Sequence, residues 1–242
     1  MKYILAILSA TISSALAVSP PAYIKACELR RPDFDKCALG QAKYAIPFLV
    51  KGDKERKIPN MTPLVVPLVE LIQDNKWRMG VTNLSIYGFE NITVMDVKMN
   101  KTNLKFTLDV DNLEASGRYE MNGRLIFLDL EGSGFCFVKF VKGSYTFDGT
   151  LTPYENNGKN YLRFGQPRVD YRVKRVHMQF ENLLHKQFAN TGINPSKILD
   201  DNWDMVMEDI DVPFKEVIST IVLDIVSSIM DDIPEKNVFL TM

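Results

Sequence analysis

The sequence has few of the residues that most catalytic and metal-binding sites need. It contains only two histidines, His177 and His185, and three cysteines. No Cys-x-x-Cys or His-Glu-x-x-His spacing occurs, so a zinc site is not expected. The Gly-x-Ser-x-Gly pattern of hydrolase nucleophiles and a glycine-rich phosphate loop are also absent. We therefore expect no metal ion, no cofactor and no enzymatic activity.

An excess of charge of either sign is missing too. The chain carries 29 basic and 30 acidic side chains, a formal net charge of -1. This balance gives no overall electrostatic attraction to nucleic acid or to an anionic membrane. Four basic residues follow one predicted strand, and we interpret them as its solvated face: Arg168, Arg172, Lys174 and Arg175. No nucleic-acid partner is expected.

The apolar run at the N-terminus, residues 3–8, is too short to cross a hydrocarbon layer about 30 Å thick. Lys2 precedes it, and Ala15-Leu16-Ala17 gives the small-x-small pattern after which signal peptidase cleaves. We therefore predict a signal peptide at residues 1–17 and a secreted, extracellular protein. Residues 18–242 suffice for a single domain, which we expect to be a monomer.

Secretion places the cysteines in an oxidising compartment. Cys27 and Cys37 lie close together around a turn-like segment with Pro32, so we expect a disulfide between them. Cys136 is then unpaired among apolar residues and is interpreted as a buried thiol. Secretion also makes the asparagines of four Asn-x-Ser/Thr sequons candidates for glycosylation: Asn60, Asn83, Asn91 and Asn100.

Helical periodicity is found towards both ends of the chain. Residues 38–46 predict a short helix that Pro47 ends or bends, and residues 64–75 are compatible with another. Apolar residues then recur at helical spacing over residues 202–233, which predicts one long helix that Pro213 either kinks or restarts. That helix is apolar around most of its circumference, so it must be enclosed.

Between residues 76 and 180 the period changes to two, which is typical of β-strands. Glycines separate the apolar runs, and no helix intervenes, so we expect an antiparallel meander with one apolar face. The alternation shifts phase at Lys174-Arg175, which predicts a bulge. Only this sheet is long enough to enclose the C-terminal helix. We therefore predict an α+β fold in which a highly curved antiparallel sheet wraps around one long helix.

The chain is well supplied with 14 Phe, 9 Tyr and 11 Met residues. Such side chains bury much area and adapt to irregular shapes. They form an ordinary core if sheet and helix fill the interior, and they line a ligand tunnel if space remains. Strand and helix parity gives these lining candidates: Leu104, Phe106, Leu108, Tyr119, Met121, Phe135, Phe137, Phe214 and Ile218. A register error of one residue would invert the strand assignments.

Several short motifs, in their order and spacing, resemble the takeout and juvenile hormone-binding protein family of insects over essentially the whole mature chain. The motifs are the Cys27 and Cys37 pair, Ile58-Pro59-Asn60-Met61-Thr62-Pro63-Leu64, Tyr87-Gly88-Phe89, Gly117-Arg118-Tyr119 with Gly123, Gly132-Ser133-Gly134, Ile233-Pro234 and Val238-Phe239. Two features depart from the family pattern. Thr62 stands where the family usually has Asp, and the two-cysteine takeout members would not predict Cys136.

The resemblance implies a TULIP-like fold with an elongated apolar tunnel. It also implies that the protein carries a small lipophilic ligand in haemolymph, such as a juvenile hormone, another isoprenoid or a fatty acyl compound, with receptor or membrane contact during ligand transfer. The alternative is a secreted signalling or interaction protein whose tunnel is vestigial. A catalytic role is the third interpretation. A pocket that brings His177 or His185 within hydrogen-bonding reach of a serine or carboxylate would favour it.

Cleavage of the signal peptide can be measured directly. After expression of the whole chain in insect cells, the protein in the medium should begin at Val18, because Ala15-Leu16-Ala17 fits the requirement of signal peptidase. Intact mass spectrometry after enzymatic deglycosylation identifies the first residue. Protein that stays in the cells with a mass including Met1 would contradict the predicted signal peptide.

Overall fold

The computed structural model describes residues 21–73, 76–185, 192, 194–231 and 233–240, so the predicted signal peptide lies outside the described residues. The helices are α1 (Phe34–Lys51), α2 (Pro195–Asp201), α3 (Trp203–Asp209), α4 (Asp211–Met230) and α5 (Glu235–Val238), with a 3-10 turn at Phe89–Asn91. The strands are β1 (Cys27–Glu28), β2 (Leu64–Gln73), β3 (Trp77–Tyr87), β4 (Thr93–Met99), β5 (Asn103–Leu125), β6 (Leu128–Asn156), β7 (Lys159–Phe164), β8 (Arg168–Phe180), β9 (Leu183–His185) and β10 (Phe239–Leu240).

Strands β2 to β9 form one antiparallel sheet whose centre is the long hairpin of β5 and β6. The order is β2-β3-β5-β6-β7, with β4 paired to β5, and β8 and β9 paired to β6. Helix α4 contacts β2 at one end of this order and β7 and β8 at the other. A sheet whose two sides both reach one helix must curl around it. The predicted α+β fold, a curved antiparallel sheet around a C-terminal helix, is confirmed.

The N- and C-terminal segments close one end of the molecule. Strand β1 pairs in parallel with β10, and Cys27 of β1 forms the expected disulfide with Cys37 of α1. Phe34 and Phe239 are both buried there, with ring centroids 5.9 Å apart. The disulfide therefore links the start of α1 to β1, and β1 pairs with the C-terminal strand β10.

The phase shift expected at Lys174 and Arg175 is present in the burial of β8. Val169 is buried before it, and Val176 and Met178 are buried after it. The pairing of β8 with β6 nevertheless keeps one register on both sides, because β6 shifts its own inward face near Lys142, which has a φ of 52°. Neither strand therefore has an extra unpaired residue, so the predicted bulge is not present. Instead, β6 and β8 both change which side chains face inward at this point.

Residues 64–73 form the edge strand β2, so the helix expected from residue 64 is wrong. Val65, Val66 and Val69 favour a strand, because branching at Cβ suits a pleated surface better than a helix. Pro67 lacks a backbone donor, and an edge strand tolerates this because one side of it has no partner. The pairing of Leu64 with Ile86 through to Gln73 with Trp77 fixes the register.

The other two predicted helical regions, residues 38–46 and 202–233, differ in extent from the expectation. Helix α1 begins at Phe34 and continues through Pro47 to Lys51. The C-terminal helix of residues 202–233 is divided into α3 and α4, and α2 precedes them. Pro213 lies in the first turn of α4, where its missing amide costs no helical hydrogen bond. Of the two alternatives for Pro213, the helical restart is therefore the one observed.

Helix α2 satisfies the free edge of β8 with side chains. Asn194 caps the helix by accepting from the backbone N–H of Ser196 at 3.0 Å. The Oγ of Ser196 accepts from the backbone N–H of Phe180, and Oδ1 of Asp200 accepts from that of Met178, both at 2.8 Å. Exposed strand edges invite unwanted pairing, and this covering protects the edge of β8.

Helix α4 is held on the sheet by one buried polar contact. Ser219 is 4% exposed, and its Oγ donates a hydrogen bond of 2.7 Å to the backbone oxygen of Pro167, in the β7–β8 connection. Most other α4 side chains facing the sheet are apolar and only partly buried. The hydrogen bond therefore helps to fix the rotation and height of α4 against the sheet.

Replacing Ser219 with Ala should lower the free energy of unfolding by about 1–2 kcal/mol, because the Pro167 oxygen loses its buried donor. The matched control is Thr220→Ala on the same helix, since Thr220 is exposed and bonds only to Glu216 of its own helix. That control should stay within about 0.5 kcal/mol of the wild type. Urea denaturation measures both, and equal effects would show that the Ser219 contact does not hold the helix.

A candidate apolar binding site between the sheet and helix α4

A cavity of about 130 Å³ lies between the concave face of the sheet and the helices α2, α3 and α4. Its sheet wall comes from β2, β3, β5, β6 and β8, and its helical wall from residues 199–217. The lining residues, all apolar, are Val69, Leu71, Trp77, Met79, Val81, Leu84, Ala115, Met121, Leu125, Cys136, Val138, Phe140, Met178, Phe180, Leu199, Val206, Met207, Ile210, Phe214 and Val217. Such a space suits only an apolar occupant.

The potential donors near this cavity are already satisfied or inert. The indole N–H of Trp77 donates to Oε1 of Gln73 at 2.8 Å. The hydroxyl of Tyr119 donates to the backbone oxygen of Glu181 at 2.6 Å, and burial raises the pKa of Tyr119 to about 12. Burial also raises the pKa of the Cys136 thiol to about 11, so it stays protonated and unreactive at neutral pH. The predicted buried thiol is confirmed.

The walls of the cavity can change shape. Four of the lining residues are methionines: Met79, Met121, Met178 and Met207. Methionine is unbranched and polarisable, so it fills irregular space and repacks at low cost. The observed volume matches a benzene-sized occupant, whereas sites for larger ligands measure about 300 Å³ or more. A larger ligand therefore requires the methionines or α4 to move.

Aromatic rings lead from the cavity to a second apolar region beneath α4. Phe140 stacks on Phe214 at 5.4 Å, Phe214 meets Tyr171 edge-on at 5.1 Å, and Tyr171 stacks on Tyr145 at 6.4 Å. Tyr145 packs there in a cluster with Val110, Phe147 and Val169. The two regions are thus joined by a series of contacting aromatic rings.

The hydroxyl of Tyr145 is buried and has no hydrogen-bond partner among the described residues. The residue is 5% exposed, and burial raises the pKa of its phenol above the usual range. The Tyr145 ring occupies space that a side chain at position 143 would fill, because a Cβ on Gly143 would lie 2.5 Å from Cε2 of Tyr145. An unsatisfied buried hydroxyl costs free energy, so Tyr145 is a ready donor for an oxygen atom introduced by a ligand.

The structure distributes the predicted lining residues over both regions. Met121 and Phe214 line the cavity, and Tyr119 is buried beside it. Phe106, Leu108 and Ile218 pack around Tyr145, and Leu104 lies in the adjoining cluster with Phe34 and Phe239. These residues therefore face the interior, while their contact with a ligand stays a prediction.

Phe135 and Phe137 do not face the interior, so their assignment by parity is wrong. Phe135 is 48% exposed, and the buried residue between them is Cys136. Both line an outer groove with Lys139 and His177. Gly134 is extended with a φ of 159°, and from there Cys136, Val138 and Phe140 point inward. Residues 135–138 are apolar on both faces of β6, so the alternation of side chains did not show which face points inward.

Several lining residues were not anticipated from the sequence. Trp77, Met79 and Val81 alternate along β3, and this pattern is a signal that identifies its inward face. Phe140 follows from the correct facing of β6. Met207 of α3 lies on the apolar stripe of the C-terminal helices and lines the cavity.

His177 does reach a carboxylate, with Nδ1 at 3.5 Å from Oδ1 of Asp200. That carboxylate already accepts from Met178 N–H and, at 2.7 Å, from Arg175. Ser196 in the same groove is buried and engaged with Phe180. The arrangement fastens α2 to β8, and it engages both the carboxylate next to the imidazole and the hydroxyl of Ser196. The side chain of His185 lies outside the described residues.

The described part of the chain was predicted to bind no metal ion and to have no membrane-spanning helix. Among its residues, no group of three His, Cys, Asp or Glu side chains is placed to hold a metal ion. None of the helices there combines the length and apolarity required to cross a membrane.

The curled sheet around an apolar helix defines the class of fold, and a solved structure shares it. The chain is similar to the crystal structure of Epiphyas postvittana Takeout 1, with a TM-score of 0.75 and 17% identity over 90% of this chain and 100% of the other. It is also 21% identical to the circadian clock-controlled protein daywake of Drosophila yakuba and of Drosophila melanogaster, over 90% of this chain and 88% of each relative.

The family assignment follows from a match to nearly the whole sequence. Residues 4–240 match the family described as haemolymph juvenile hormone binding protein (JHBP). The chain belongs to this family, and the resemblance inferred from its motifs is confirmed.

Two tyrosines provide a matched test of the interior geometry. Tyr145→Phe should raise the free energy of unfolding by roughly 1 kcal/mol, because it removes an unpaired buried hydroxyl. Tyr119→Phe should lower it by about 1–2 kcal/mol, because it leaves the Glu181 oxygen without its donor. Urea denaturation of ligand-free protein measures both changes. Similar losses in the two variants would mean that the Tyr145 hydroxyl has a partner in solution.

Proposed function

We propose that this protein is a secreted carrier that binds one small lipophilic ligand in the interior between the sheet and α4. The observation that carries the proposal is a cavity walled by apolar side chains alone, within a fold of the haemolymph juvenile hormone binding protein family. Affinity comes mainly from apolar area removed from water, at about 25 cal/mol per Å². No step of this function requires a nucleophile, a metal ion or a cofactor.

The proposed ligand class follows from the cavity together with the neighbouring cluster around Tyr145. An elongated apolar body extends from the methionine-rich cavity, past Phe214 and Tyr171, to the cluster around Tyr145. An oxygen atom at one end accepts the hydrogen bond of the Tyr145 phenol, and this contact fixes the orientation of the ligand. Juvenile hormones, other isoprenoids and fatty acyl compounds all combine such a body with a terminal oxygen.

The extracellular setting is part of the proposal. The predicted signal peptide, the disulfide of Cys27 and Cys37 and the family all support secretion into haemolymph, where we expect the protein to be a monomer. The four sequon asparagines, Asn60, Asn83, Asn91 and Asn100, are exposed, as glycosylation requires. Carbohydrate at these sites would keep the outer surface soluble while the interior stays apolar.

Filling the cavity tests carriage. Val217→Phe should weaken binding of the apolar fluorescent probe N-phenyl-1-naphthylamine at least about tenfold, because the larger ring occupies space that the ligand needs. Val212→Phe is the matched control, since Val212 lies on the same helix and is 66% exposed. Fluorescence titration gives both affinities, and thermal unfolding confirms that both variants fold. Equal affinities for the two variants would place the probe elsewhere.

Competition experiments test the polar anchor. Farnesol should displace the probe more effectively than the isoprenoid hydrocarbon farnesene, because only farnesol offers an oxygen to Tyr145. Tyr145→Phe should remove most of this difference without changing the affinity for farnesene. A difference that persists in the variant would contradict the role of Tyr145.

A further inference from the structure

The outer side of helix α1 is a surface that ligand binding does not explain. The exposed residues of α1 recur at helical spacing on one side of the helix: Asp35, Lys36, Gly40, Lys43, Tyr44, Pro47, Phe48 and Lys51. Tyr44 is 51% exposed and Phe48 is 42% exposed. An apolar aromatic surface on a secreted protein indicates an interaction site. We call Lys25, Lys36, Lys43, Tyr44, Phe48 and Lys51 the α1 outer face.

The aromatic part of the α1 outer face is continuous and rigid. Tyr23 stacks on Phe48 with ring centroids 5.3 Å apart and an angle of 5° between the planes, and Tyr44 contacts Phe48 at 5.5 Å. The Tyr23 hydroxyl donates to Oδ2 of Asp53 at 3.2 Å. The rings therefore keep their positions without a partner, so a partner need not order them.

The charged part of the α1 outer face is basic. Nζ of Lys25 lies 5.5 Å from the ring centroid of Tyr44. Lys36, Lys43 and Lys51 are spaced along the helix, and none of them has a carboxylate within ion-pair distance among the described residues. Asp35 is the single exposed acidic residue of α1. The overall charge of -1 therefore conceals a local surplus of positive charge.

The combination of lysine with exposed rings favours a lipid surface over a protein partner. Lysine is depleted at protein–protein interfaces, where arginine is the enriched cation. Flexible lysine stems instead reach the phosphates of a membrane while aromatic rings settle at headgroup level. Each lysine close to an anionic bilayer strengthens the attraction. The cations of the α1 outer face are the lysines Lys25, Lys36, Lys43 and Lys51.

The opposite side of α1 connects this face to the interior. Ile46, Leu49 and Val50 belong to the same apolar cluster as Ile221 and Ile225 of α4. A membrane in contact with the α1 outer face thus lies against a helix that shares an apolar cluster with α4, the helix that covers the proposed ligand site. The position is suitable for exchanging a water-insoluble ligand with the bilayer.

We propose that the α1 outer face docks the protein on membranes that carry anionic phospholipids. Tyr44 and Phe48 enter the headgroup layer, and Lys25, Lys36, Lys43 and Lys51 lie against the phosphates. The contact is reversible and weakens with salt, because it rests on exposed charges and two rings. Docking itself requires no bound ligand, so it is independent of the proposed carriage.

Vesicle co-sedimentation tests the docking. The mature protein should bind vesicles of phosphatidylcholine with 30% phosphatidylserine and should bind pure phosphatidylcholine vesicles at least about tenfold more weakly. The triple variant Lys36→Glu, Lys43→Glu, Lys51→Glu should lose about tenfold or more of its binding to the anionic vesicles. The pair Tyr44→Ala, Phe48→Ala should also bind more weakly and should leave the contrast between the two vesicle types.

The matched control reverses three exposed lysines on other elements: Lys76→Glu, Lys159→Glu and Lys174→Glu. It has the same net charge as the α1 triple variant and should bind anionic vesicles like the wild type. Equal losses in both triple variants would reduce the effect to net charge and overturn the proposal. Wild-type protein that binds intact cells but not vesicles of their extracted lipids would also overturn it, in favour of a protein receptor. Probe affinity, measured on every variant, separates this outcome from a failure of carriage.

Discussion

The enclosure of helix α4 is the constraint on which the rest of the structure depends. Along its 20 residues, α4 has apolar side chains on most of its circumference, and an isolated helix of this kind would expose them to water. A flat sheet covers only one side of a helix. The sheet therefore has to curl until β2 on one side and β7 and β8 on the other both reach α4. The long hairpin of β5 and β6 makes this possible, since each strand changes its neighbours along its length.

Enclosure of this kind leaves space, because a curved sheet and a straight helix do not fit closely everywhere. The poor fit is located near the start of α4, where Phe214 and Val217 face the methionines of the sheet. The polar groups that remain inside are few and have distinct roles. Ser219 fixes the helix, Tyr119 binds a backbone oxygen, and the hydroxyl of Tyr145 is left without a partner. An interior of this composition is suited to holding an apolar molecule and orienting it through one oxygen.

Much of the fold could be predicted from the sequence, because burial imposes a period on it. The change from period 3.6 to period 2, the disulfide of Cys27 and Cys37, and the enclosure of the C-terminal helix all follow from local rules. The helix predicted at residues 64–75 was wrong because the stretch is apolar on both faces and shows neither period clearly, so only the valines branched at Cβ and Pro67 favour the edge strand. The assignment of Phe135 and Phe137 to the lining was wrong because residues 135–138 are apolar on both faces of the strand. The α1 outer face could not be inferred from the net charge, because the net charge sums basic and acidic residues from all parts of the surface. The size of the cavity could not be predicted at all, since it depends on the fit between elements distant in sequence.

Native mass spectrometry of protein collected from a secreting insect source, without delipidation, tests carriage most directly. We expect a population heavier than the glycosylated polypeptide by the mass of one small lipophilic molecule, which organic extraction removes and which the extract then identifies. The Val217→Phe protein, prepared in the same way, should show this heavier population at a much lower fraction. Wild-type protein that carries no such molecule, and that also takes up none when lipids are added, would rule out carriage.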